Sequence, residues 1–303
     1  MNAPDHLVPW TDANHRLLVA ELTRLKALLA DEPIEEARQR VETCRASLAS
    51  PAAIDQLSYR LGLSAFERDV LLLCAGVEMD TALATLCAGR GARGAWATFS
   101  TALAILPDAH WSALTPMRPL RRWRLVEPEE GTTLVTARLR IDERVLHYIA
   151  GVNDIDARLW PLLRVIPEQV VLAESQCKTG RAILEALARH PDGAAPLVQL
   201  WGNDAHGQRD VAAYVATRAG MQLHAISAND IPAASQDVDA LLTLWDREVA
   251  LSDSALLVEI GDAGATPHGL RLFLENAEGL ILVAVNEAVA IDRDDQRFRV
   301  DKP

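Results

Sequence analysis

Positive charge is what this sequence has least of. Lys and Arg number 30 against 42 Asp and Glu, a formal charge of −12. Sequence-blind binding to DNA is driven by cations that displace counterions from phosphates, so this balance argues against it and leaves room only for a local basic patch. Cysteine is also sparse. Cys44, Cys74, Cys87 and Cys177 form no CxxC pair and have no His interleaved at ligand spacing, which sets aside a disulfide framework or a zinc site in favour of reduced, buried thiols. No apolar run reaches the roughly 18 residues of a membrane span. The opening MNAPDHLVPWTDANH lacks the basic-then-apolar order of a signal peptide. The expectation is a soluble, cytoplasmic protein with no membrane partner.

What is present is core material: half of the 303 residues are apolar, enough for two domains. Residues 11–31 place Leu17, Leu18, Leu22, Leu25, Leu28 and Leu29 at helical spacing behind Thr11 or Asp12 as cap. A second helix is expected over 34–48, with Glu35 and Glu36 in its first turn, where negative charge suits the helix dipole. After Pro51 the text gives a short helix, a break at Gly62, and a core helix over 65–76, capped by Ser64 with Glu67 at the capping-box position. CAGRGARGA reads as a glycine-rich connection, and a further helix is expected from Trp96 to Leu106, ended by Pro107.

The next stretch, HWSALTPMRPLRRWRLVEPEEGTTLVTARLRIDERVLHYIAG, predicts a short helix, a turn, and a second short helix from Pro119. A β-hairpin turning at Glu130-Gly131 and a helix capped by Asp142 follow. Two helices and a two-stranded wing make a winged helix. Arg118, Arg121, Arg122 and Arg124 cluster on its second helix, with Arg138 and Arg140 on the wing. A DNA reader would place these against the duplex. The short, proline-flanked helix offers no Asn, Gln or Ser to read base edges, and Glu127, Glu129, Glu130 and Glu143 stand nearby as ion-pair partners. Structural or protein-binding use is therefore favoured over DNA, with Trp123 in the core. Residues 152–193 read as helical with Pro161 and Pro167 as punctuation, and HPDGAAP as a linker.

The last part is expected to be an α/β domain. LVQLW at 197–201 is a buried-strand run leading into GNDAHGQRDVAAYVATRAG, where Gly202 and Gly207 keep the spacing of the phosphate-loop motif G-x-x-x-x-G-K-[ST] ahead of a helix. In that motif backbone amides wrap the phosphates, Lys reaches their outer oxygens, and Ser or Thr holds Mg²⁺. Here Gln208 stands at the Lys position and Arg209 at the Ser/Thr position, so the charge clamp and the metal ligand are both lost, and with them most of any phosphoryl transfer. A guanidinium one position off leaves weak, metal-free ATP or ADP binding as the lesser alternative. The strand SALLVEIGD keeps one carboxylate, Glu259, but has Ile260 where a second is needed, with Asp262 as an approximate substitute. Strands are further expected at 221–227, 279–286 and 298–300, with Asn286 at the end of one of them as a polar sensor or a plain loop start. Arg293 and Arg297 fit a charged loop face better than arginine fingers.

PLRRWRLVE and LRIDERVLHYIAG, with the degenerate loop that follows, resemble the AAA+ ATPases of phage-tail-like contractile injection systems. The resemblance implies a winged-helix and helical region over 1–150, a helical linker over 151–195, and a degenerate P-loop AAA+ subdomain over 196–303, mixed α/β in class. It also implies protein partners or cargo and self-assembly through AAA+ surfaces, in a family of ATP hydrolases; the substitutions at Gln208, Arg209 and Ile260 lead instead to the expectation of no required cofactor and no catalytic or metal-binding residue in this chain. Candidate nucleotide contacts are Gly202, Asn203, Asp204, Ala205, His206, Gly207, Gln208, Arg209, Glu259, Asp262 and Asn286. A helical lid and a complete second module normally follow, so the chain is expected to be the N-terminal portion of such a protein. The alternatives are a winged-helix DNA regulator and an ATPase with atypical motifs.

Overall fold

The computed structural model describes residues 9–89, 94–168, 172–189, 196–261 and 267–302. Asp262, residues 90–93 of the glycine-rich connection and most of HPDGAAP lie outside the described residues. The chain divides into two compact units, 1–154 and 155–303.

The first unit is helical. Its elements are α1 (Trp10–Ala30), α2 (Glu35–Ala46), α3 (Ala53–Leu61), α4 (Ala65–Met79), α5 (Thr81–Gly89), α6 (Phe99–Ile105), α7 (Pro119–Arg122) and α8 (Glu143–Ala150), with a 3₁₀ turn at Trp111–Leu114. The hairpin of β1 (Val126–Pro128) and β2 (Leu139–Ile141) is antiparallel. Helix, helix, wing and helix follow the winged-helix order expected from the sequence. The capping box at α4 is formed in both directions, Ser64 accepting from the Glu67 amide and Glu67 accepting from the Ser64 amide. Helix α1 starts before Thr11 and Asp12, with Pro9 at its cap position and no side-chain cap. Helix α5 lies where only a turn was expected: Asp80 Oδ1 accepts from the amides of Ala82 and Leu83, the signal of an Asp N-cap.

Charges, as well as leucines, join α1 to α4. Glu21, 1 % exposed, accepts from Arg24 Nε at 2.8 Å, Arg45 Nη2 at 3.1 Å and Arg68 Nη2 at 2.7 Å. Asp55 and Asp69 complete the network, pairing with Arg45 and Arg68 and with Arg24 and Arg68. Burial by itself would raise the Glu21 carboxyl, but the guanidinium groups of Arg68 and Arg24 outweigh it and hold it below the ordinary glutamate value.

The second unit is a sheet covered on both faces. It contains β3 (Arg164–Ile166), α9 (Glu174–Leu187), β4 (Leu197–Trp201), α10 (Ala205–Arg218), β5 (Gln222–Ser227), α11 (Ser235–Leu251), β6 (Ser254–Gly261), α12 (His268–Asn276), β7 (Leu280–Val285) and β8 (Asp295–Arg299). The strand order is β3-β5-β6-β7-β4-β8, parallel except for the edge strand β3. Nearly unbroken apolar strands suit a sheet buried on both sides. Ile183 of α9 and Val211, Ala212 and Val215 of α10 pack on Val198, Leu200, Leu257 and Leu282. Leu241 and Trp245 of α11 and Leu270 and Phe273 of α12 pack on Leu256, Val258, Ile281 and Val283.

The stretch from Ile155 belongs to this unit instead of forming a separate helical linker. Its one strand, β3, ends at Ile166 immediately before Pro167. A residue preceding proline is pushed into extended backbone, so the proline read as helix punctuation terminates a strand. Asp156 anchors the stretch to α11. Its amide donates to Glu248 at 3.2 Å and its carboxylate takes Arg158 and the fully buried Arg247. Burial raises the Asp156 carboxyl, yet the Arg158 hydrogen bonds and the charges of Arg158 and Arg247 overcome it and leave the group at about 2.

Glu21→Gln is expected to destabilise the first unit by about 3 kcal/mol, since it leaves three guanidinium groups short of a carboxylate; urea unfolding of the full chain checks this. The Glu21 value is depressed, so its contribution is complete above the unfolded glutamate range and disappears as pH falls through the folded value. The gap between the wild type and Glu21→Gln therefore narrows below about pH 4.

Candidate functional site

The carboxyl end of β4 lies where the chain reverses its direction across the sheet. From β4 it crosses to β5, returns through β6 and β7, and then passes β4 to reach β8. Open parallel sheets place ligand sites at such a point, and most of the candidate nucleotide contacts gather there.

Only Gly202, Asn203 and Asp204 separate β4 from α10. Ala205, His206 and Gly207 are already helical, so the expected open cradle of amides across 202–207 does not form. Gly202, at φ +139°, donates its N–H to the carbonyls of Val285 and Asn286, each at 3.2 Å. A Cβ there would lie 2.3 Å from the Val300 carbonyl oxygen. Gly207 is required for a different close approach: its Cβ would come within 2.2 Å of Asp204 Oδ2 and 2.6 Å of Gln176 Nε2. The Asp204 carboxylate thus lies against the first turn of α10, where a phosphate would otherwise approach.

Gln208, in the lysine position, is 1 % exposed. Its Nε2 donates to the carbonyls of Gly202 and Val285, each at 3.1 Å, so it fastens the loop to the end of β7. Arg209, in the hydroxyl position, donates through Nε to Glu259 Oε1 at 2.9 Å and through Nη2 to the same oxygen. Arg164 of β3 donates to Glu259 Oε2. The one carboxylate retained on β6 therefore holds two guanidinium groups, one on each oxygen. Arg209 thereby ties α10 to β6 through Glu259, and Arg164 ties the edge strand β3 to the same carboxylate.

Ile260 is 6 % exposed and packs into the core under α11 and α12, with Leu256 and Val258. Side chains alternate across a strand, so a residue here is directed away from Glu259. Asn286 is exposed and enters the site through its carbonyl, while Asn203, Ala205 and His206 lie at the surface. Arg293 donates to the Leu274 and Ala277 carbonyls at the end of α12, and Arg297 to Asp295. Three contributors escaped the sequence reading. Arg164 lies far from the motif and carried no signal, and Gln176 sits on a helix read only for its apolar face. Gln199 was legible as the lone amide in LVQLW: it is fully buried and exchanges hydrogen bonds with Val289, fixing the loop after β7. Among the described residues no group of His, Cys, Asp and Glu could hold a metal ion.

The arginines of the winged-helix region are largely engaged. Arg118 faces the buried Glu67 at 3.8 Å, Arg138 meets Glu78 at 3.2 Å and Arg140 meets Glu129 at 2.8 Å. Arg121 donates to the Leu114 carbonyl, and Arg122 stacks on Trp123 at 4.8 Å. Two of the carboxylates, Glu67 and Glu78, come from α4, outside the group expected from the sequence. Glu143 turns instead to His147 of its own helix. Trp123 is half-buried. Helix α7 is a single turn, and Arg124 leaves it at φ +49°.

Gln208→Ala is expected to cost about 2 kcal/mol, because the Gly202 carbonyl loses its side-chain donor and the Val285 carbonyl keeps only the Gly202 amide, while Asn203→Ala at the surface stays within about 0.5 kcal/mol. Urea unfolding of the two variants checks the difference.

A comparison with curated proteins finds no match for this chain. A family model described as "Winged helix domain, variant" matches residues 9–163, and the chain belongs to that family.

Proposed function

We propose that residues 155–303 are a non-catalytic AAA+-like module. Together with the winged-helix region, they serve assembly and partner or cargo recognition in a larger ATPase machine. The setting implied by the sequence resemblance is a bacterial contractile injection system. The observation that carries this reading is the occupation of the site by the chain's own charges. Asp204 lies against the first turn of α10, and Arg209 and Arg164 take both oxygens of Glu259. The strand order, the loop at the carboxyl end of β4 and the following helix support a P-loop ancestry for the unit. The chemistry of the loop opposes turnover, because neither a lysine nor a metal ligand faces the place of the phosphates.

The DNA-regulator reading draws support from the family match, since winged helices do read duplexes. The single turn of α7 and the engaged arginines weigh against it. An ATPase with atypical motifs would need Glu259 free to position metal or water, and here it holds two arginines.

Calorimetric titration with ATP and ADP, with and without Mg²⁺, is expected to show no magnesium-dependent binding and no phosphate release. Phosphate release that needs Mg²⁺ and disappears in Glu259→Gln would sink the proposal.

A further inference from the structure

The face of the winged helix around its 3₁₀ turn exposes side chains that normally seek cover. Trp111 is 62 % exposed and Met117 78 %. Both are held outward by their neighbours. Trp111 lies between His110 and Ser112, and the His110 ring is fixed on three sides. It bonds Ser64 at 3.0 Å and Ser112 at 2.9 Å, and it packs on Phe66 at a centroid distance of 5.3 Å. His110 thereby ties the start of the 3₁₀ turn to the start of α4. Met117 sits at a turn closed by the Arg118 amide on the Thr115 carbonyl at 3.1 Å and followed by Pro119 at the start of α7. These contacts fix the backbone that carries both side chains, which lowers the entropic cost of binding.

The same stretch, WSALTPMRPLRRWR, carries four arginines and no acidic residue in a chain of net charge −12. Arg122 is exposed and stacks on Trp123, and Arg118 reaches Glu67 only at 3.8 Å. Tryptophan, methionine and arginine are the residue types enriched in the centres of protein interfaces.

We propose that this face docks an acidic amphipathic segment of a partner protein, its apolar side on Trp111 and Met117 and its carboxylates on Arg118 and Arg122. This deepens the partner-recognition reading above by assigning it a surface and a partner chemistry. Duplex DNA fits the face less well. Helix α7 is one turn long, and the apolar pair has no counterpart on a phosphate backbone.

The test uses the full chain and a fluorescently labelled helical peptide of leucine and glutamate in an amphipathic repeat, followed by anisotropy. Binding is expected, with affinity falling about tenfold in Trp111→Ser, Met117→Ser and Arg122→Glu and falling further with added salt. All three side chains lie at the surface, so unchanged thermal melting separates lost docking from lost folding. Three results would each overturn the proposal: no binding, equal binding of a peptide with lysine in place of glutamate, or displacement of the peptide by duplex DNA. Nucleotide titration does not enter this test, so it can fail while the reading of the second unit stands.

Discussion

Glu259 can accept from one guanidinium at each oxygen, and the chain supplies both. Arg209 comes from the helix that follows β4 and Arg164 from the antiparallel edge strand, so one carboxylate on β6 joins three elements of the second unit. A nucleotide site needs the same carboxylate for a metal and the same first turn of α10 for phosphate. Here guanidinium groups lie on Glu259 and the Asp204 carboxylate lies against the helix start, so the chain's own charges face one another at this end of the sheet. Gln208 and Gly202 belong to the same arrangement, since both close the loop onto the ends of β7 and β8 and leave little room between the strand and the helix. The pairs at Glu259 are partly exposed and individually modest. Their consequence is geometric, in fixing which groups face one another.

Buried charge has a similar organising role elsewhere. In the first unit, Glu21 draws arginines from α1, α2 and α4 onto one carboxylate. In the second, Asp156 and Arg247 tie the stretch after Ile155 to α11. A charge removed from water is tolerable only when its partners are fully placed. Each network therefore specifies one arrangement of its helices where leucine packing alone would accept several. The helices that carry these charges are ordinary amphipathic helices by periodicity, which is why nothing in their spacing announced the networks.

The winged helix shows the opposite economy at its surface. Most of its arginines are turned onto carboxylates, a carbonyl or an indole ring of the same unit, and its second helix is cut to one turn between Pro119 and the backbone reversal at Arg124. Trp111 and Met117 are among the apolar side chains left outward, in a stretch that also carries Arg118 and Arg122. A fold used elsewhere to present a long helix to a groove here presents a single helical turn.

Local patterns settled the helices around Leu17, Leu57 and Val145, the Ser64 capping box and the apolar strands of the second unit, because each depends on neighbours within a few residues; the wing was expected as a hairpin turning at Glu130-Gly131, but its strands are joined by a longer connection over 129–138. The loss of lysine and hydroxyl at 208 and 209 was equally plain from the text. Helix α5 and strand β3 were missed because one depends on an aspartate cap among small residues and the other on a partner strand about sixty residues later. The fate of the substituted residues was beyond sequence: whether Gln208 points into the loop or beneath it, and whether Arg209 meets a ligand or Glu259, depends on groups brought together only by the sheet. Residue type fixed what chemistry the loop had lost, and tertiary packing decided what took its place, since charges distant along the chain can neutralise one another only after the strands between them have paired.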